Sequence, residues 1–139
     1  MTRKLNTPRR ILKVRETLRR VAIGRATEAQ SRLHGLEQKS VHLSSLRATM
    51  FDNEDCSAAQ SLAARMELGH RLIGAGDQVN RAVIDARQSV AEQDRQRVAA
   101  HLDRDVMREF VARKTAGFEL ENERKIAANL PFRRPKKQR

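Results

Sequence analysis

Apolar residues recur at steps of three and four along most of the chain, the spacing of one face of an α-helix. In the first half the series runs Ile11, Val14, Leu18, Ala22, Ala26, Ala29, Leu33, Leu36, Leu43, Leu46 and Met50. Ser40 stands where the series wants an apolar residue, with Val41 beside it. A stripe this narrow buries against one or two partner helices, as in a coiled coil. Ala22, Ala26 and Ala29 would let that partner approach closely, and Glu28 and Arg32 stand four apart in the favourable order for a helix pair.

The series stops at Phe51-Asp52-Asn53-Glu54-Asp55-Cys56-Ser57, the only cluster of turn-favouring Asp, Asn and Ser between Pro8 and Pro131. Their side chains compete for the backbone and favour a turn over a helix. Ser57 to Gln60 then fits a capping box, the start signal of a second helix. This helix is dense in apolar residues over 57–73, and Gly69, Gly74 and Gly76 predict a kink or short break over 69–76. The segment 57–73 is either a separate tip helix or the start of the long one. From Asp77 the series continues as Val79, Val83, Ala86, Val90, Val98, Leu102, Val106 and Phe110, interrupted by Asp94. Its mean spacing drifts toward four, which predicts a stripe that wanders round the helix and an irregular supercoil.

At the front, Thr7 as N-cap with Pro8 at the first helical position predicts a start there. At the back, Asn129-Leu130-Pro131 predicts the stop. The expected plan is a loose 1–6, a first helix over 7–50, a turn at 51–57, a second helix over 58–128, and a disordered basic tail over 129–139. The fold class is all-α, an elongated antiparallel two-helix coiled-coil hairpin.

Composition supports this and adds a charge map. Aromatic residues are 3% and charged residues 33% of the 139, too thin for a wide globular core and typical of long helices. The basic excess of residues 1–20 and 133–139 equals the whole formal net charge of +12, so 21–132 nets zero. An antiparallel pair whose second helix runs past the first brings these two groups toward the same end. Arg9, Arg10 and Lys13 near the positive end of the helix dipole would be unfavourable for stability alone, so they read as an acidic-partner or anion-binding surface, and the charge map adds Arg15 to this primary docking surface. The bland reading is a solvated basic end tolerated because salt screens it. The alternating charges along the second helix read as a solvated face.

Chemistry is absent from the pattern. His34, His42, His70 and His101 are too scattered for a zinc site, and Cys56 has no base beside it. Gly74-Ala75-Gly76 lacks the strand and the lysine of a phosphate loop. No enzymatic activity and no cofactor are expected. A single cysteine and the lack of a spanning-length apolar run predict a cytoplasmic protein, with peripheral membrane association as the variant.

The basic start Pro8-Arg9-Arg10-Ile11-Leu12-Lys13-Val14-Arg15-Glu16, running into an Ala-, Arg- and Glu-rich stripe, resembles the flagellar export protein FliJ family or the related type III secretion YscO family. Glu123-Arg124-Lys125 is similar to the start of an acidic, lysine-containing signature of that family, and Ala128-Asn129 departs from its usual acidic pair. The resemblance implies a stalk or adaptor that links the export ATPase ring to the export gate membrane protein and escorts unladen export chaperones. It implies an ATPase-facing end at Arg9, Arg10, Lys13, Arg15 and Glu16. By charge, Arg133, Arg134, Lys136 and Lys137 form a secondary tether. A nucleic-acid or anionic-surface binder would use the same basic ends through phosphate contacts, but lacks stacking aromatics there apart from Phe132. A coiled-coil adaptor with incidental charge is the third reading.

Overall fold

The structure, a computed structural model, describes residues 3–52 and 59–129, with side chains for 5–50, 52 and 61–129. It is all-helical over these residues. Helix α1 spans Arg3–Asp52 and helix α2 spans Ala59–Asn129, and the two pack against each other. Residues 53–58, which hold most of the expected turn, Cys56 and the capping serine, lie outside the described residues, as does the tail from 130 onward.

The chain divides into a terminal unit, 1–19 with 100–139, and a central unit, 20–99. The core sits in the central unit. Leu33, Val83 and Ala86 are its buried apolar residues, with Leu36, Val79 and Val90 packed around them. Two links across the helices, Ser40 Oγ donating to Asn80 Oδ1 at 3.2 Å and Arg87 Nη2 to Glu37 Oε1 at 3.1 Å, set the pairing as antiparallel. In the terminal unit Arg15 reaches Asp103 and Arg19 reaches His101, again antiparallel. These links fall at half-exposed side chains and contribute at most about 1 kcal/mol each. Apolar burial therefore holds the helices together.

The half-buried and buried positions expose the true seam. On α1 a series runs 5, 8, 12, 15, 19, 22, 26, 29, 33, 36, 40, 43 and 50, alternating steps of three and four with only Arg47 missing, and Gly35 and Glu37 are half-buried beside it. On α2 the same alternation runs 69, 72, 76, 79, 83, 86, 90, 93, 100, 104, 107 and 111, with Arg97 missing, and further half-buried residues lie at 61, 65, 75, 82, 105, 115 and 118. Such alternation is a heptad repeat, which keeps one narrow face toward the partner along a left-handed supercoil.

Several expectations are corrected by this pattern. The first helix begins at Arg3, a turn before Thr7, and Pro8 lies inside it. Leu5 and Pro8 occupy seam positions and are half-buried, so packing supports the added turn. Phe51 and Asp52, assigned to the turn, remain helical, and α2 ends one residue late at Asn129. Glu28 and Arg32 do not come within ion-pair distance of each other. The apolar series of α2 does wander off the seam, but the seam itself stays regular. The seam holds the repeat by accepting Gln93 and Arg104, whereas Val98, Leu102, Val106 and Phe110 are exposed.

The break expected over 69–76 is also absent: α2 is continuous there and no glycine takes a positive φ. Seam residues on both sides, Leu72 and Val79, hold the helical path through the glycines. A Cβ added at Gly74 would meet nothing within 4 Å. Gly74→Ala should therefore raise stability by about 0.5–1 kcal/mol, mostly by restricting the unfolded chain. A thermal melt checks this; a lower midpoint would show that the glycine serves a bend in solution.

Candidate partner-binding surface

The first turns of α1 place the expected cations on the outside. Arg9, Arg10, Lys13 and Glu16 are exposed. Asn6, Thr7, Arg9, Arg10 and Lys13 line one shallow concavity, so three of the expected docking cations share a surface. The added turn from Arg3 changes the electrostatic argument. The dipole of a helix acts within its first turn, and that turn now precedes Arg9. Arg9, Arg10 and Lys13 thus stand at a helix flank, where the dipole opposes them little.

Arg15 belongs elsewhere. It is a half-buried seam residue whose Nη1 donates to Asp103 Oδ2 at 2.7 Å. Arg15 thus takes part in helix pairing while its side chain stays 43% exposed. Glu16 sits one position on, exposed, facing away from the stripe that carries Ile11 and Leu18 by the 100° rotation per residue. Arg133, Arg134, Lys136 and Lys137 lie outside the described residues.

Sequence reasoning missed a polar network in the terminal unit. Arg19 Nε donates to His101 Nδ1 at 3.1 Å, and His101 Nε2 lies 3.1 Å from Asp105 Oδ2. An imidazole that accepts at Nδ1 carries its proton on Nε2, so His101 is held as the tautomer that donates to Asp105. Arg104 occupies a seam position next to this network. Its side chain is only 14% exposed, and its Nε lies 3.3 Å from Asp105 Oδ1. That contact lacks hydrogen-bond alignment, and the buried Nε has no hydrogen-bond partner. The close distance gives attraction between charges without satisfying the donor. The signal for these residues was available in the repeat: stepping back by sevens from Leu33 and Leu36 reaches Arg19 and Arg15.

Two further observations bear on chemistry. Among the described residues no group of three or more His, Cys, Asp or Glu is placed to hold a metal ion. Among them, too, no helix is long and apolar enough to cross a membrane.

The arrangement offers surfaces with charge and apolar area. Comparison with protein-family models, curated proteins and solved structures returns no match.

Proposed function

We propose that the chain is a non-enzymatic coiled-coil stalk or adaptor of a flagellar or type III protein export apparatus. In this role it links the export ATPase ring to the export gate and to unladen chaperones, on the cytoplasmic side of the membrane. The observation that carries the reading is the pairing of two long antiparallel helices with a basic, exposed start to α1. The resemblance of the stretch from Pro8 to Glu16 to the export family supplies the identity of the partners. A narrow two-helix coiled coil has little room for a pocket and much surface for end-on and lateral contacts, which suits an adaptor.

Within this reading Arg9, Arg10 and Lys13 form the primary docking surface for an acidic face of the ATPase. Concentrated charge of one sign raises encounter rates in a salt-dependent way. Reversing Arg9 and Arg10 to Glu should weaken ATPase binding by at least about tenfold at low salt, and less at high salt. Both residues are exposed, so helicity should not change. A titration against the ATPase at two salt concentrations, with duplex DNA as a parallel ligand, tests the assignment. Unchanged ATPase binding would remove Arg9 and Arg10 from the interface. Tight DNA binding without ATPase binding would favour the nucleic-acid reading.

A further inference from the structure

The terminal unit carries a second apolar stripe that the seam does not use. On α1 it comprises Ile11, Val14 and Leu18, which are 43%, 58% and 51% exposed. On α2 it comprises Leu102, Val106 and Phe110, all exposed. Counting from the seam, Ile11 and Leu18 occupy the flanking heptad position that directly precedes a seam residue, and so does Phe110. In an antiparallel pair these equivalent positions lie on the same side of the two helices. Arg15 and Asp103 tie the helices in the layer beside Val14, which brings Ile11 level with Phe110. Ile11, Leu18 and Phe110 therefore flank one side of the groove between α1 and α2, with Val14 and Val106 at its outer margin, while Leu102 points to the back of α2. The spacings of the groove residues, three and four on α1 and four on α2, are those by which a helix anchors in a groove.

The charges around this groove are one-sided. Asp103 is held by Arg15, and Glu109 is held by Arg113 at 3.3 Å. Glu16, the acid nearest along α1, projects from the opposite side. Arg10 lies one helical turn before Val14 and flanks the stripe, and among the described residues it forms no ion pair; Lys13 projects on the side of Glu16, away from the groove. Lys114 sits 5.7 Å from the centre of the Phe110 ring, a cation placed over the apolar floor. A second copy of this chain would bring the same cations against these, which disfavours self-association. An apolar floor with uncommitted cations at its edges fits a partner of opposite edge charge.

We propose that this groove docks an acidic amphipathic helix from a partner protein, with Ile11, Leu18, Val106 and Phe110 as anchors and Arg10 and Lys114 as charge-matching edges. The third helix completes the burial that two helices leave open, forming a three-helix layer over the terminal unit. This goes beyond the export reading and stands apart from it, because it names the surface and the chemistry of whatever partner binds there.

The test uses the full chain and a synthetic helical peptide three heptads long, with Leu at the seam positions and Glu at the flanks. A scrambled isomer has the same composition without the stripe. Binding is read by fluorescence anisotropy, and vesicles containing phosphatidylserine form a parallel arm. The wild-type chain should bind the amphipathic peptide at least about tenfold more tightly than the isomer. Ile11→Ser with Leu18→Ser, and separately Val106→Ser with Phe110→Ser, should each abolish that preference. Val41→Ser, exposed in the central unit, should leave it intact. Circular dichroism confirms that each variant remains helical. Equal affinity for peptide and isomer would overturn the proposal by showing charge attraction alone. Vesicle binding without peptide binding would assign the face to a lipid surface. A concentration-dependent dimer lost in the same serine variants would assign it to a second copy. The assay contains no ATPase, so its outcome is independent of the export reading.

Discussion

Leu33→Asp is expected to abolish most of the helicity of the protein at 37 °C. Leu33 is one of three buried apolar residues among those described, at 8% exposure, packed with Val83 and Ala86. A carboxylate there has no cation among the core cluster to pair with, and its burial costs several kcal/mol in addition to the lost apolar contact. The core cannot absorb that cost. No side chain among the described residues is fully buried, and a pair of helices with such a thin seam has modest total stability. Leu46→Asp is the control. Leu46 belongs to the same apolar series in the sequence but is 41% exposed, and its substitution should change stability by less than about 1 kcal/mol. Thermal melts of the two variants separate them; equal losses would mean that the seam register is wrong.

Arg104→Leu is expected to act in the opposite direction. The guanidinium stem is mostly buried, and its Nε has no hydrogen-bond partner. Replacing an imperfectly paired buried cation by an apolar side chain often gains stability, because desolvation outweighs the attraction to the neighbouring acid. Asp105 loses its contact to Arg104 but keeps His101, so no stranded carboxylate results. The gain should be about 1–2 kcal/mol, read as a rise of roughly 3–8 °C in the melting midpoint. A lower midpoint would show that the charge network around Asp105 holds the terminal unit together.

The two substitutions also show what the sequence could and could not reveal. Leu33, Leu36, Val79, Val83, Ala86 and Val90 were legible because in the central unit the apolar residues coincide with the heptad seam. The antiparallel two-helix fold followed from them. Toward the basic end the coincidence fails. From Val14 through Leu18, Ala22 and Ala26 the apolar series takes consecutive steps of four, and each such step rotates 40° beyond a full turn. The series thereby slides off the seam that a strict repeat keeps. The helices follow the repeat, because a supercoil propagates from its best-packed layers and long arginine stems can fill seam positions while their heads reach water. Hydrophobicity alone selected Ile11, Val14 and Leu18; the repeat selects Leu12, Arg15 and Arg19. The glycines misled for a related reason. Gly69, Gly74 and Gly76 lower intrinsic helix propensity, but packing of flanking seam residues overrides propensity at isolated sites.

The basic surface was legible in part. Charge counting located Arg9, Arg10 and Lys13 correctly as exposed cations, yet it could not separate Arg15, whose role depends on Asp103, far away in sequence and visible only once the register is known. The groove of Ile11, Leu18, Val106 and Phe110 has the same origin. Spacing alone places these apolar residues in the seam, and only their exclusion from it makes them a surface.

The helix register at the basic end decides which residues form the seam and which the groove, and a disulfide comparison tests it most directly. With Cys56 replaced by Ser, one chain carries Leu12→Cys with Met107→Cys, and another carries Val14→Cys with Val106→Cys. Leu12 and Met107 are half-buried seam positions that the antiparallel register sets opposite each other, whereas Val14 and Val106 are 58% and 69% exposed on the groove side. A disulfide needs Cα atoms within roughly 7 Å and converging Cβ vectors, so only a facing pair closes without distortion. Under mild oxidation the first chain should close rapidly into a monomeric crosslinked species, and the second should stay reduced. Closure of the Val14 and Val106 pair with none at Leu12 and Met107 would place the apolar stripe in the seam and contradict both the register and the open groove.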